Sequence, residues 1–135
     1  MKLPMSIPLV ALTVGVTVAA ARNAGAQTES VEPRLQAPIP NLPGTQFTSA
    51  IVTFPPGASA APHRHGESFV YAHVLSGSVS SQVDDQPTML YQVGDSWIEL
   101  PGAHHKLTQN ASTSEPARLL VVFIGRRGAP LKVPD

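Results

Sequence analysis

The sequence has no cysteine among its 135 residues, and this absence removes several classes of site. Disulfide bonds, thiolate-bound metals and thiol nucleophiles are all excluded. Charged residues make up only 13% of the chain, with nine basic and nine acidic side chains. No run of lysine or arginine is long enough to follow a phosphate backbone, so we expect no nucleic-acid partner. Stability must come from an apolar core, a metal ion or an oligomer interface.

The first 26 residues have the layout of a secretory signal peptide. Lys2 precedes an uncharged, apolar run over residues 7–21, and the small residues 24–26 fit a cleavage site after Ala26. Cleavage near residue 21 is an alternative, and so is a retained anchor, although a membrane span needs about twenty apolar residues. We therefore expect a periplasmic or secreted protein that no longer contacts the membrane once the signal is removed. Cleavage after residue 26 leaves 109 residues, seven basic and nine acidic, with a net charge of −2.

The rest of the chain divides into three parts. Residues 27–44 contain four prolines and predict an extended arm of which only the last part packs on the domain. Residues 45–125 form the domain, and residues 126–135 form a C-terminal tail. Within the domain, short apolar runs alternate with turn residues and no window has helical periodicity, which indicates an all-β sandwich or barrel. The predicted strands are 46–54, 69–75, 79–83, 88–93, 96–100 and 117–124.

The histidines carry the strongest chemical signal. His63 and His65 are two residues apart on an extended segment, so their side chains point to the same face. A second pair, His104 and His105, follows about forty residues later and can supply a third imidazole. Neutral imidazole is the commonest ligand for transition metals in proteins. The pattern predicts a metal site inside a β-barrel.

Two longer motifs around these histidines resemble those of the cupin superfamily. Pro56-Gly57-x5-His63-Arg64-His65, followed by Val74-Leu75-Ser76-Gly77, is similar to the first cupin motif. Gly94-Asp95-x4-Leu100-Pro101-Gly102-x2-His105, with Asn110 a few residues on, is similar to the second. Both occur in the family's order, with a spacer of the usual length between them. The resemblance implies a small single-domain cupin of the quercetin-dioxygenase type: a double-stranded β-helix, or jelly-roll barrel, with a metal at its centre.

The resemblance also implies a ligand set. His63 and His65 match the two histidines of the first motif, and His105 matches that of the second. By strand alternation His104 then points away, and His73 in the strand 69–75 is expected to have a structural or interface role. The family's usual carboxylate ligand falls on Val70, which cannot bind a metal. Either Glu67 bends in to replace it or the three histidines hold the metal alone, and we favour the second.

The resemblance leaves the activity open, and no catalytic residue can be named from the sequence. A nitrogen-rich shell favours first-row transition metals over magnesium or calcium; we expect Fe2+ or Mn2+, then Ni2+, Zn2+ or Cu2+. The leading hypothesis is a metal-dependent oxidoreductase, such as a dioxygenase, that acts on a small organic substrate. The alternatives are a non-catalytic periplasmic protein that binds a metal or small ligand, and an isomerase. A homodimer is expected because cupin barrels commonly pair and the mature chain has no disulfide.

Overall fold

A computed structural model describes residues 28–135 of the chain. The predicted signal peptide, residues 1–26, lies outside the described residues. Within the described range the chain forms strands joined by turns, and none of it is a helix long and apolar enough to cross a membrane. The strands are β1 Ser30–Pro38, β2 Thr45–Phe54, β3 Ser59–Ala60, β4 His63–Arg64, β5 Phe69–Ser76, β6 Ser78–Val83, β7 Met89–Gln92, β8 Ser96–Glu99, β9 His104–Asn110, β10 Ala117–Arg126 and β11 Val133–Pro134.

The strands form two antiparallel sheets. The first sheet has the order β1-β2-β10-β5-β8, and the second has the order β11-β4-β9-β6-β7 with β3 also paired to β9. Strands that follow each other along the chain therefore often lie in different sheets. The two sheets face each other as a jelly roll, and the predicted all-β, double-stranded β-helix fold is confirmed.

The core lies between the sheets and follows the two-residue period of the strands. On β10, Ala117, Leu119, Val121 and Phe123 are buried, whereas the residues between them are exposed or half-buried. Although the run 117–124 is almost wholly apolar, the strand buries only one face, because antiparallel sheets of this kind cover only their inner side.

The proline-rich segment is more ordered than the sequence indicates. Residues 30–38 form β1, which pairs with β2 along its whole length, from Ser30 opposite Thr53 to Pro38 opposite Gln46. The register shifts between Pro33 and Leu35, where one residue is skipped. Proline is tolerated here because β1 is an edge strand, whose outward backbone groups need no partner.

The C-terminal tail also returns to the barrel. Gly128 has a positive φ of 77°, and the chain turns there after β10. Val133 and Pro134 of β11 then pair with Arg64 and His63 of β4. The tail thus lies directly beside the strand that carries the first predicted metal ligand.

Candidate metal centre

Three histidines converge inside the barrel. His63 lies on β4 and is paired across the sheet with His105 of β9, while His65 follows directly after β4. His63 and His105 are buried, and one ring nitrogen from each of the three lies within 4.8 Å of the others. The rings of His63 and His65 meet edge to face with centroids 4.7 Å apart. The chain can therefore offer three imidazoles to a single ion.

Two of these rings are held in one tautomer by the backbone. The Nδ1 of His63 lies 2.7 Å from the carbonyl oxygen of Ala61, and the Nδ1 of His65 lies 2.5 Å from that of Leu131. A carbonyl oxygen only accepts, so each Nδ1 must carry the hydrogen and each neutral ring has a bare Nε2. The two Nε2 atoms face each other at 3.2 Å. Two lone pairs at this distance repel unless a cation lies against both.

Burial keeps these rings neutral. It lowers the pKa of His63 from 6.5 to about 4, and the charges of neighbouring groups add to this effect against the opposing hydrogen bond to Ala61. Burial also lowers the pKa of His65, against the opposing charge of Glu99. Neutral imidazole is the form that binds metals. Both rings are therefore ready to act as ligands at neutral pH.

His105 is fixed by hydroxyl groups and a carboxylate. Its Nε2 lies 2.8 Å from Oγ of Ser81 and 2.6 Å from Oγ1 of Thr108. Its Nδ1 lies 3.0 Å from Oε1 of Glu99. Such contacts to a ligand ring set its orientation and raise its basicity.

Glu99 is the site residue that the sequence reasoning missed. It ends β8, its side chain is 3% exposed, and its Oε2 lies 3.4 Å from Nε2 of His65. Its Oε1 accepts a hydrogen bond from the indole N–H of Trp97, whereas Oε2 has no hydrogen-bond partner among the residues that the structure describes. Burial raises the pKa of this carboxyl, but the hydrogen bonds from His105 and Trp97 and the charges of His105 and His65 together leave the pKa below its ordinary value. A buried, unsatisfied carboxylate oxygen beside imidazole nitrogens fits a metal centre.

Alternation along β8 is the signal that could have found Glu99. Trp97 is the one tryptophan of the chain and an obvious core residue, and residues two apart on a strand share a face. Placing Trp97 inside therefore places Glu99 inside as well. The structure buries both, with Ser96 and Ile98 exposed on the other face.

The site opens into a small cavity of about 80 Å³. Among the residues that line it, only Val31 and Lys132 are exposed, and they lie beside Glu29 and Leu131 near the two ends of the described chain, so this side is the mouth of the cavity. The ammonium of Lys132 pairs with the carboxylate of Glu29 across this mouth. Apart from the site residues, the walls are mainly apolar: Val52, Phe54, Ala60, Ala72, Trp97, Leu119, Val121 and Phe123.

The other candidates named from the sequence lie outside this cluster. Glu67 is exposed on the turn between β4 and β5, beside residues of β2 and β10 and not among the cavity-lining side chains. His104 points away from His105 and pairs with Asp135 through a 2.6 Å contact. His73 lies on the outer face of β5, where its Nδ1 is 2.8 Å from Oγ of Ser96. The structure thus brings together His63, His65 and His105, and it leaves Glu67 apart from them.

An all-β jelly roll with three inward imidazoles defines a class of barrel proteins that can hold a metal. The chain belongs to the cupin family: the model described as "Cupin domain" matches residues 50–123. The match contains all three histidines and Glu99, but it excludes β1 and the C-terminal tail. A comparison with curated proteins gave no match.

Solved structures share the fold. TT1209 from Thermus thermophilus is 26% identical with a TM-score of 0.61, over 73% of this chain and 85% of that one. A conserved protein with a double-stranded β-helix domain from Klebsiella pneumoniae is 18% identical with a TM-score of 0.62, over 80% and 85%. Oxalate oxidase in complex with glycolate is 16% identical with a TM-score of 0.62, over 85% and 59%. The last two likenesses show the fold alone.

Proposed function

We propose that the mature chain is a metal-dependent oxidoreductase of the dioxygenase type, acting on a small organic substrate. The observation that carries this proposal is the pair of bare Nε2 atoms of His63 and His65, which face each other at 3.2 Å with no hydrogen between them. A cation bound by both would remove their repulsion, and His105 lies in reach to complete the set. Iron(II) or manganese is favoured, followed by nickel, zinc or copper.

The residues around the cavity would have different roles in such a site. A bound metal would supply Lewis acidity and one-electron chemistry. The histidines would hold it, and the apolar walls would keep water from the reacting groups. The only carboxylate among the cavity walls apart from Glu29 at the mouth is Glu99, so the described residues offer little proton-transfer machinery. This favours a reaction borne mainly by the metal over a hydrolase or lyase.

A non-catalytic metal-binding protein is the second candidate, and the size of the cavity favours it. About 80 Å³ is well below the roughly 300–1,000 Å³ typical of small-molecule sites. A Glu29–Lys132 ion pair also spans the mouth. In this arrangement the site accommodates a metal and very small ligands, and an organic substrate must displace the mouth residues.

Metal analysis of the purified mature protein tests the site. We expect about one transition-metal ion per chain after loading, and strong loss of metal in His63→Ala and His105→Ala. His104→Ala and His73→Ala are matched controls, because both remove an imidazole outside the cluster. Equal metal content in all four variants and the wild type would contradict the proposal.

Oxygen uptake separates the enzyme from the binding protein. The iron-loaded protein is screened with flavonols, thiols and catechols in an oxygen electrode, with His63→Ala as the control. Uptake with any of these classes, lost in the variant, supports the dioxygenase. Tight metal binding without uptake across the panel favours the non-catalytic protein.

We further propose that the chain is exported and forms a homodimer. Export is supported by the uncharged run 7–21 and the small residues before Gln27. Association is supported by the outer face of the first sheet, where Val122 of β10 lies between Tyr71 of β5 and Ser49 of β2, and Ile98 of β8 is 52% exposed beside Tyr71. Identification of the first residue in protein purified from the periplasm tests export. Light scattering of the wild type and of Ile98→Glu tests the homodimer, and a monomeric wild type would contradict it.

A further inference from the structure

Glu99 occupies the space opposite the position where the family's carboxylate is missing. Val70 of β5 is paired across the sheet with Glu99 of β8, and both side chains enter the barrel. Directly opposed residues have Cβ atoms about 4.5–5.5 Å apart. A carboxylate on β8 can therefore reach the same region of the cavity as one on β5. The sequence has apolar Val70 on one strand and acidic Glu99 on the other.

The distances that join His65 to His63 and to Glu99 are those of ligands around one ion. Nitrogen and oxygen ligands lie about 2.0–2.2 Å from a first-row metal, so two neighbouring ligands at tetrahedral or octahedral angles are about 3.0–3.4 Å apart. The Nε2 atoms of His63 and His65 are 3.2 Å apart. Oε2 of Glu99 is 3.4 Å from Nε2 of His65. Both contacts have the length of an edge between adjacent ligands, whereas Oε1 of Glu99 is hydrogen-bonded to Nδ1 of His105 at 3.0 Å.

Of the two carboxylate oxygens of Glu99, Oε2 is the one that would bind an ion. Oε1 of Glu99 already has the indole of Trp97 and the ring of His105 as partners, but Oε2 has none within the described part of the chain. A buried carboxylate oxygen without a partner destabilises the fold unless a cation or a hydrogen-bond donor contacts it. Oε2 lies beside the bare Nε2 of His65, which cannot donate to it. A metal ion would satisfy both atoms together.

We propose that Glu99 is the carboxylate ligand of the metal centre, supplied by β8 in place of position 70 on β5. The centre would then have three imidazoles and one carboxylate, and neither Glu67 nor a three-histidine site is needed. This inference rests on the proposed metal function. It identifies a further ligand, whereas the proposed function requires only that the histidines bind a metal.

A positioning role is the competing explanation. Through Oε1, Glu99 could merely orient the ring of His105, as carboxylates beside ligand histidines commonly do. The two roles predict different effects on the coordination of the metal. A ligand changes the coordination of the ion when it is removed, whereas an orienting group weakens binding and leaves the ligand atoms the same.

The test uses the mature protein loaded with Co2+, whose visible spectrum depends on the number and type of its ligands. Affinity is measured by competition with a chelator, and thermal unfolding of the metal-free proteins checks folding. The variants are Glu99→Gln, the control Glu67→Gln, and the cross-strand exchange Val70→Glu with Glu99→Val. Glu67→Gln makes the same chemical change on the exposed turn.

We expect Glu99→Gln to lower Co2+ affinity by about 100-fold or more, at or beyond the upper end of the effect of groups that only contact a ligand. The spectrum should change as well, and Glu67→Gln should match the wild type in both. The exchange variant should recover at least about tenfold of the lost affinity, because its carboxylate enters the same space.

Three results would overturn the inference. Unchanged affinity and spectrum in Glu99→Gln would remove Glu99 from the centre while leaving the histidine site intact. Weaker binding with an unchanged spectrum and no recovery in the exchange variant would assign Glu99 a positioning role. A folded wild type that binds no Co2+, Fe2+ or Mn2+ would overturn both this inference and the proposed function.

Discussion

The Nδ1 nitrogen of His65 donates its hydrogen to the backbone carbonyl of Leu131, 66 residues further along the chain. Leu131 lies in the C-terminal tail, outside the part matched by the family model. The contact fixes the tautomer of His65 and turns its Nε2 into the cavity. Groups that hold the second nitrogen of a ligand histidine commonly change metal affinity by about 10–100-fold. The tail is therefore part of the candidate metal site.

Removing residues 130–135 tests this relationship. The deletion leaves β10 complete but removes the carbonyl of Leu131 and the pairing of β11 with β4. We expect metal affinity to fall by about tenfold or more, because His65 loses the acceptor that fixes its ring. Chelator competition with the purified mature protein measures the change.

Asp135→Asn is the matched control for the deletion. It weakens the exposed contact between the tail and His104 but keeps the carbonyl of Leu131. We expect its metal affinity to equal that of the wild type. A deletion that binds metal as tightly as Asp135→Asn would show that the tail does not orient His65.

The inward histidines could be predicted because they depend on a local rule. Alternation along one strand distinguishes His105 from His104, and the structure has the first buried and the second paired with Asp135. The same rule covers His63 and His65, which lie on one short segment. The six strands expected in the domain are also present, each within a few residues of its predicted bounds.

The remaining site features depend on pairing between distant segments, which the sequence does not display. That Glu99 faces Val70 follows from the register of β5 against β8, set by the whole sheet. The sequence predicts an arm and a tail where the structure has β1 and β11, because prolines weaken the strand pattern. These two strands are held by backbone pairing with β2 and β4, to which side-chain periodicity contributes little.

The ion pair at the cavity mouth gives a prediction about metal exchange. Lys132 joins the tail to Glu29 at the start of the described chain, and both line the cavity. We expect Lys132→Met to lower the free energy of unfolding by about 1–3 kcal/mol, because the Glu29 side chain is only 11% exposed and its carboxylate loses its partner. The rate at which a chelator removes the metal should rise several-fold, because the mouth opens more readily.

Lys106→Met is the control for this change. Lys106 pairs with Asp85 and is 37% exposed, compared with 38% for Lys132, but it is not among the residues that line the cavity. We expect its rate of metal removal to match the wild type. Equal rates in both variants would show that the Glu29–Lys132 pair does not control access to the site.

Gly77 gives a prediction about the fold itself. It connects β5 to β6, one of the steps at which the chain crosses from one sheet to the other, and its φ is 73°. A Cβ atom there would lie 2.6 Å from the carbonyl oxygen of Pro116 and 2.9 Å from Cα of Ala117. Both are backbone atoms, so the clash cannot be relieved by turning a side chain.

Gly77→Ala should therefore lower the free energy of unfolding by at least about 2 kcal/mol. The left-handed backbone contributes about 1–2 kcal/mol and the clash about 1–3 kcal/mol more. Gly94→Ala is the control, because Gly94 also has a positive φ, 92°, but nothing lies within 4 Å of its Cβ position. It should lose only about 1–2 kcal/mol. Urea unfolding of the metal-free proteins measures both, and equal losses would mean that the sheet crossing at Gly77 can shift to admit a methyl group.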